Sequence, residues 1–231
     1  MAKISVDGYE ITDPAREAEL EALVGPSGWW KQTRDTQLGI LEKEGLKKTK
    51  RFLDLGCGSL RLGLPLIAHQ NKGRYTGVDI DEQCITAAKE LVSEFKLAKK
   101  KEPMLLQSTA FGKDVLPSDA KFDVIWCFQV MIHLTIDLSA QAMQAMRDLL
   151  AEDGVAYVTI RTKGRANGAP LAEQGSWRHF AVTAGSVEAY SDLAATHGLD
   201  TEVMGPLTDF GFSQKRSGSD NVLLKLTKQG S

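Results

Sequence analysis

Short apolar runs alternate along the chain with longer stretches whose apolar positions recur every three or four residues, and Gly, Pro and Asp mark the joins. The short runs predict strands at 51–55, 75–78 and 104–107, one opening at Phe122, and further strands at 155–160, 201–204 and 221–226. The periodic stretches predict helices at 14–23, 32–44, 60–68, 82–97, 137–150 and 187–197. Asp13 is placed to cap the first helix, with Pro14 at its opening position. Ile85, Ala88, Leu91, Val92 and Phe95 give the helix at 82–97 its apolar face.

Buried runs joined by helices predict a parallel sheet, whose right-handed crossovers gather ligands at the carboxyl edge. The last two strands are joined by 205–218 without a helical pattern, which predicts an antiparallel pair. Two helices precede the first strand, so 1–49 reads as an N-terminal helical cap and 50–231 as the sheet domain, in one structural unit. Trp29 and Trp30, between the cap helices, either wall a lid over a pocket or pack against the domain. Residues 161–185 break the rhythm: Arg161, Lys163 and Arg165 stand among glycines, with Trp177, Arg178, His179 and Phe180 close behind. A connection of that length is a functional segment or a solvated loop.

Composition narrows the classes. The 231 residues suffice for one α/β domain with additions. Lys and Arg number 28 against 30 Asp and Glu, a formal net charge of −2, which removes the electrostatic argument for nucleic acid as the default partner. Cys57, Cys84 and Cys127 are widely spaced, without C-x-x-C or metal-ligand spacing; they read as buried thiols of a cytosolic protein, and no metal is expected. The N-terminus lacks an apolar signal core, and no stretch approaches the ~18 consecutive apolar residues of a membrane span. The expected location is the cytoplasm, away from any membrane.

The candidate chemistry begins at Asp54-Leu55-Gly56-Cys57-Gly58, where a predicted strand breaks into a glycine turn and a helix follows. Glycines let backbone lie close against a ligand, and the helix start offers N–H groups without intrahelical partners. A dinucleotide fingerprint would need a third glycine where Arg61 stands, and Gly63 comes two residues later; a triphosphate-cradling loop would need a closing Gly-Lys-Ser/Thr. What remains, Asp-x-Gly-x-Gly at a strand end, resembles the first motif of class I S-adenosylmethionine-dependent methyltransferases. Asp79 closes the second strand at roughly the ~20-residue interval of such units, where a carboxylate accepts hydrogen bonds from both ribose hydroxyls. The other reading of Asp79 is a cap for the next helix. Phe122-Asp123, with His133-Leu134 behind it, resembles the fourth-strand segment of small-molecule members of the family, and the chain's ending resembles their reversed last strand.

The resemblance covers about 50–228 and implies an α/β fold: a single Rossmann-like doubly wound sheet, mostly parallel with an antiparallel C-terminal strand. It implies S-adenosylmethionine as cofactor and S-adenosylhomocysteine as product. Gly56, Cys57 and Gly58 would pass beneath the methionine and ribose portion, Asp54 would sit close to the amino group, Asp79 would bind the ribose hydroxyls and Ile80 would lie against the adenine. Ser108 and Thr109 stand where the family often carries an acidic residue beside the adenine. Phe128 would approach the methionine side, and Arg34 and Gln37 are candidates for the cofactor's carboxylate.

His133 is the candidate base, since an ordinary imidazole pKa of about 6.5 lets it accept a proton near neutrality; its other reading is a packing element. Trp29, Trp30, Arg161, Trp177, Arg178 and His179 are candidate substrate contacts. No Asn/Asp-Pro-Pro-Tyr/Phe follows the fourth strand, which turns the expectation to a small-molecule acceptor and O-methylation of a hydroxyl. The alternatives are an RNA or protein methyltransferase, marked by a basic surface running from 96–101 into the pocket, and a non-catalytic cofactor-binding scaffold. The oligomeric state is open.

Overall fold

The computed structural model describes residues 3–163, 183–213 and 220–230; Arg165, Trp177, Arg178 and His179 lie outside them. The chain divides into two units, Met1–Ser108 and Thr109–Ser231.

In the first unit, Asp13 caps α1 (Pro14–Ala22) by accepting from the Ala15 amide at 3.0 Å. Helix α2 (Trp30–Lys43) starts at the second tryptophan and buries Leu38, Ile40 and Leu41. Three strands follow, β1 (Phe52–Leu55), β2 (Tyr75–Asp79) and β3 (Met104–Gln107), paired in parallel in the order β3-β2-β1. All four residues of β1 are buried, three of them apolar and the fourth Asp54, as both covered faces of a parallel sheet require. Between the strands run α3 (Gly63–His69) and α4 (Glu82–Glu94), and a short α5 (Leu97–Lys101) precedes β3.

Two helix boundaries move by three residues from the sequence reading. Helix α3 begins at Gly63 instead of residue 60, because Leu60 takes a left-handed conformation, φ 66°, that cannot continue a helix. The helix expected over 82–97 ends at Glu94: Lys96 is left-handed, φ 55°, and its amide turns back to the Ser93 carbonyl at 2.9 Å. The lysine run then forms α5.

In the second unit, β4 (Phe122–Cys127) leads through a 3-10 turn (Met131–His133) to α6 (Ile136–Leu149), capped by the Thr135 hydroxyl. Next come β5 (Leu150–Arg161), α7 (Val187–Thr196), β6 (Leu199–Pro206), a 3-10 segment (Leu207–Phe210) and β7 (Asn221–Lys228). The order is β4-β5-β7-β6, with β4 parallel to β5, and β7 antiparallel to both β5 and β6. Strand β5 starts five residues ahead of its predicted start. Residues 152–154, which lie between the predicted helix at 137–150 and the predicted strand at 155–160, are a register shift in which Leu150 pairs with Phe122 before the ladder resumes at Val124 and Val155. Trp126, Met143, Met146, Val158 and Leu224 form this unit's core.

The fold is Rossmann-like α/β, mostly parallel, with the C-terminal strand reversed.

Candidate active site

The glycine turn is stitched to the end of β2. The Gly56 and Cys57 amides donate to the Val78 carbonyl at 2.7 and 3.1 Å, with Gly56 at φ 81°. The Gly58 amide donates to Asp79 Oδ2 at 2.8 Å, and the Asp81 amide donates to Asp79 Oδ1 at 2.9 Å. Asp79 thus ties the turn to the start of α4 with one carboxylate. The helix itself is capped by Asp81, whose side chain accepts from the Gln83 amide at 2.8 Å. Burial raises the Asp79 carboxyl above its ordinary value, and the backbone amides of Asp81, Gly58 and Ile80 act against the shift. Ile80 beside it is 51 % exposed, an apolar side chain left uncovered at the strand's carboxyl end.

Two glycines here answer to neighbours. A Cβ on Gly58 would stand 2.4 Å from Val24 Cγ1, so the cap segment after α1 rests directly on the turn. A Cβ on Gly63 would meet Leu60 Cδ2 at 2.4 Å and the Tyr75 hydroxyl at 2.5 Å. Gly63 therefore gives α3 its close approach to β2, the task the sequence comparison assigned to a third fingerprint glycine. Further links tie the cap down: the Ser59 hydroxyl donates to the Leu20 carbonyl at 2.8 Å, and the Cys84 thiol to the Leu23 carbonyl at 3.8 Å.

Below the turn, Asp54 is buried and accepts from the Tyr75 hydroxyl at 2.7 Å. Burial pushes the Asp54 carboxyl up to about 7; the Tyr75 hydrogen bond opposes this and Asp79 adds to it. Burial also drives the Cys57 thiol well above its ordinary range, so it is not a nucleophile at neutral pH. Ser108 is buried, and its amide donates to the Asp79 carbonyl at 2.9 Å.

The cap residues differ in how their polar groups are committed. Arg34 is buried and paired twice, Nη2 with Glu10 at 2.9 Å and Nε with Asp35 at 2.8 Å. Gln37 Nε2 donates to the Thr33 carbonyl at 3.2 Å. Trp29 is half-buried at the N-cap of α2, and Trp30 is 3 % exposed, its ring 5.4 Å from the Arg61 guanidinium carbon. Arg61 is the residue that sequence reasoning missed, since it registered only as bulk in place of a glycine. It is 8 % exposed, and its Nε and Nη2 are buried without a hydrogen-bond partner among the described residues. Burial lowers its pKa to about 10, Glu21 working the other way, so it remains a cation at neutral pH.

In the second unit, Phe128 is half-buried and stacks on Trp126 at 5.7 Å with 2° between the rings. His133 closes the 3-10 turn after β4, and burial takes its pKa down to about 4. The imidazole is thus neutral at pH 7 but a weaker base than the ordinary value implied. Thr109 is exposed, its amide and hydroxyl lying 3.2 and 3.5 Å from Asp114 Oδ2. Arg161 donates through Nε to the Lys163 carbonyl at 2.7 Å. Among the described residues, no group of three or more His, Cys, Asp or Glu is placed to hold a metal, and no helix is long and apolar enough to cross a membrane.

Residues 53–156 match the profile of a methyltransferase domain. A curated relative, the probable methyltransferase ltbC of Aspergillus luteorubrus, is 25 % identical over 118 residues, which are 48 % of this chain. The chain spans 39 % of that relative's length. Among solved structures, an S-adenosylmethionine-dependent methyltransferase from Clostridium acetobutylicum ATCC 824 superposes with a TM-score of 0.64 at 14 % identity, over 92 % of this chain and 97 % of that one. Magnesium protoporphyrin IX methyltransferase (ChlM) from Synechocystis PCC 6803, with bound S-adenosylhomocysteine, gives 0.62 at 16 % identity, over 96 % and 97 %. The structural likenesses establish the fold. The stretch that matches the methyltransferase domain takes in the glycine turn, Asp79 and β4.

Proposed function

We propose that the protein transfers the methyl group of S-adenosylmethionine to a hydroxyl oxygen of a small-molecule acceptor. The observation that carries this reading is the Asp79 carboxylate, held at the end of β2 by the Gly58 and Asp81 amides beside an uncovered Ile80. A carboxylate offers about four lone-pair sites, more than its backbone donors occupy, and so can still accept from a ribose hydroxyl. Ile80 offers an apolar surface to the adenine, with Ser108 and Thr109 following at the end of β3. Gly56, Cys57 and Gly58 give a backbone ledge for the ribose and methionine portion, and Phe128 takes the methionine side. Asp54, with its pKa near 7, ionises readily beside an ammonium group.

When bound, the cofactor supplies an activated methyl group; the chain supplies binding, orientation and exclusion of water. His133, neutral at pH 7, acts as the base that takes the acceptor hydroxyl's proton. Residues 1–49 act as the cap, with Trp29 and Trp30 as its apolar wall. Arg161, Trp177, Arg178 and His179 belong to the acceptor side. Arg34 and Gln37 support the cap, because reaching a ligand would cost them Glu10, Asp35 and the Thr33 carbonyl.

Two observations favour a small acceptor over RNA or protein. A structural neighbour's named substrate, magnesium protoporphyrin IX, is a small molecule. In the first unit, Lys47, Lys48, Lys72, Arg74, Lys99 and Lys100 stand in the loops and short helix before β1, β2 and β3, at the strand ends opposite the glycine turn. Incubation with methyl-labelled cofactor tests the reading. Label is expected in hydroxylated small molecules, as a base-stable methyl ether, and label found only in RNA or protein would reject it.

A further inference from the structure

A buried cation without a bonded anion is an unusual cost in a fold, and among the described residues Arg61 is such a cation. Its guanidinium lies under the Trp30 ring, and an ideal Cβ on Gly25 would stand 3.7 Å from its Nη2. The nearest source of negative charge is Glu21, but that carboxylate is spent on the cap: Oε2 accepts from the Gly28 amide at 2.7 Å and Oε1 from the Trp29 amide at 2.6 Å. Glu21 therefore lends Arg61 its field without accepting from it. The donors left over are Nε and Nη2, both shielded from solvent. Those two nitrogens form the side-on edge of a guanidinium, whose parallel N–H bonds match the two oxygens of one carboxylate. The contrast with Arg34 is direct, since there the same two nitrogens are already met by Asp35 and Glu10.

We propose that Arg61 is the specificity residue for a carboxylate ligand, the α-carboxylate at the aminoacyl end of the cofactor, which it grips through Nε and Nη2. The proposal rests on the methyltransferase reading above. Arg61 follows the glycine turn by three residues and precedes α3, so it stands at the turn that would carry the methionine portion. Its two donors are covered by the segment from Gly25 to Trp30, so the carboxylate enters as that segment gives way. Leaving such a donor edge unmet costs the unliganded protein stability, which a carboxylate returns on binding. The same edge discriminates against adenosine compounds that lack the carboxylate.

Calorimetric titration separates the possibilities. The ligands are S-adenosylhomocysteine and S-adenosyl-3-thiopropylamine, the same molecule without its carboxylate. For Arg61→Met, the Kd for S-adenosylhomocysteine is expected to rise by about 10- to 100-fold, the worth of a charge-assisted hydrogen-bond pair, while the Kd for the amine changes less than about twofold. Arg61→Lys keeps the charge without the two-pronged edge and is expected to fall between wild type and Met; it carries the comparison should the Met variant not fold. An equal loss for both ligands would make Arg61 a support of the cap and overturn the assignment, as would undiminished binding of S-adenosylhomocysteine. Failure of folded wild-type protein to bind either ligand would overturn the methyltransferase reading and this assignment together.

Discussion

Two buried titrating groups, one in each unit, shift in opposite directions and predict opposite pH behaviour. Asp54 has its carboxyl raised from 3.8 to about 7 in the folded protein. Its contribution to stability is fully present below about 3.8 and is lost as pH rises through about 7, since the folded state holds the proton more tightly. Asp54→Asn keeps an acceptor for the Tyr75 hydroxyl and never ionises. Its melting temperature relative to wild type is expected to climb between pH 4 and pH 8, and a constant difference would show that Asp54 titrates normally. His133 has its pKa lowered from 6.5 to about 4, so its contribution is present above 6.5 and lost as pH falls through about 4. As the base, it must be neutral to work. With cofactor saturating, the acidic limb of kcat/KM for the acceptor is then expected to stay flat from pH 8 to below 6, where an ordinary imidazole would already fail. His133→Ala should lower kcat by about 100-fold or more, the usual contribution of a positioned base, with the cofactor's Kd unchanged. A kcat close to wild type would make His133 a packing residue.

At this scale the sequence was legible where a residue type has few uses. Asp79 and the glycines of the turn announce themselves through spacing, and the structure brings them into direct contact. Arg61 did not, because an arginine after a glycine turn looks like any surface arginine until Trp30 and Gly25 are seen to cover it. Burial also hid the weakened basicity of His133, since one-dimensional spacing carries no information on desolvation.

Elements were legible from periodicity, and their ends were not. The helix over 82–97 is continuous in its apolar pattern, yet it breaks where Lys96 adopts φ 55°. That conformation is set by the way Phe95 and Lys96 fold back on Leu91 and Ser93, which a hydrophobic pattern does not record. A left-handed residue just past a helix end favours glycine. Lys96→Gly is therefore expected to stabilise the protein by about 1 kcal/mol, read as a higher urea midpoint at unchanged slope. A lower midpoint would mean that the lysine side chain itself holds the junction between α4 and α5. The early start of β5 has the same origin: Glu152-Asp153-Gly154 has the composition of a turn, but pairing of Leu150 with Phe122 turns it into a bulge.

For the molecule as a whole, alternation of strands and helices together with the helix-free final connection predicted a mostly parallel sheet with one reversed strand, and β7 is that strand. Net charge was a poor guide to surface: a chain of formal charge −2 still gathers lysines and arginines before β1, β2 and β3, away from the glycine turn. The acceptor has no comparable signature, because substrate walls are built from segments that fold and cofactor do not dictate. The central claim is cofactor binding at the Asp79 clasp, and isothermal titration of the purified protein with S-adenosylmethionine and S-adenosylhomocysteine measures it most directly. Wild type is expected to bind both, and Asp79→Ala, still folded by circular dichroism, to bind both about 10- to 100-fold more weakly. Equal binding by the variant, or none by folded wild type, would contradict the account.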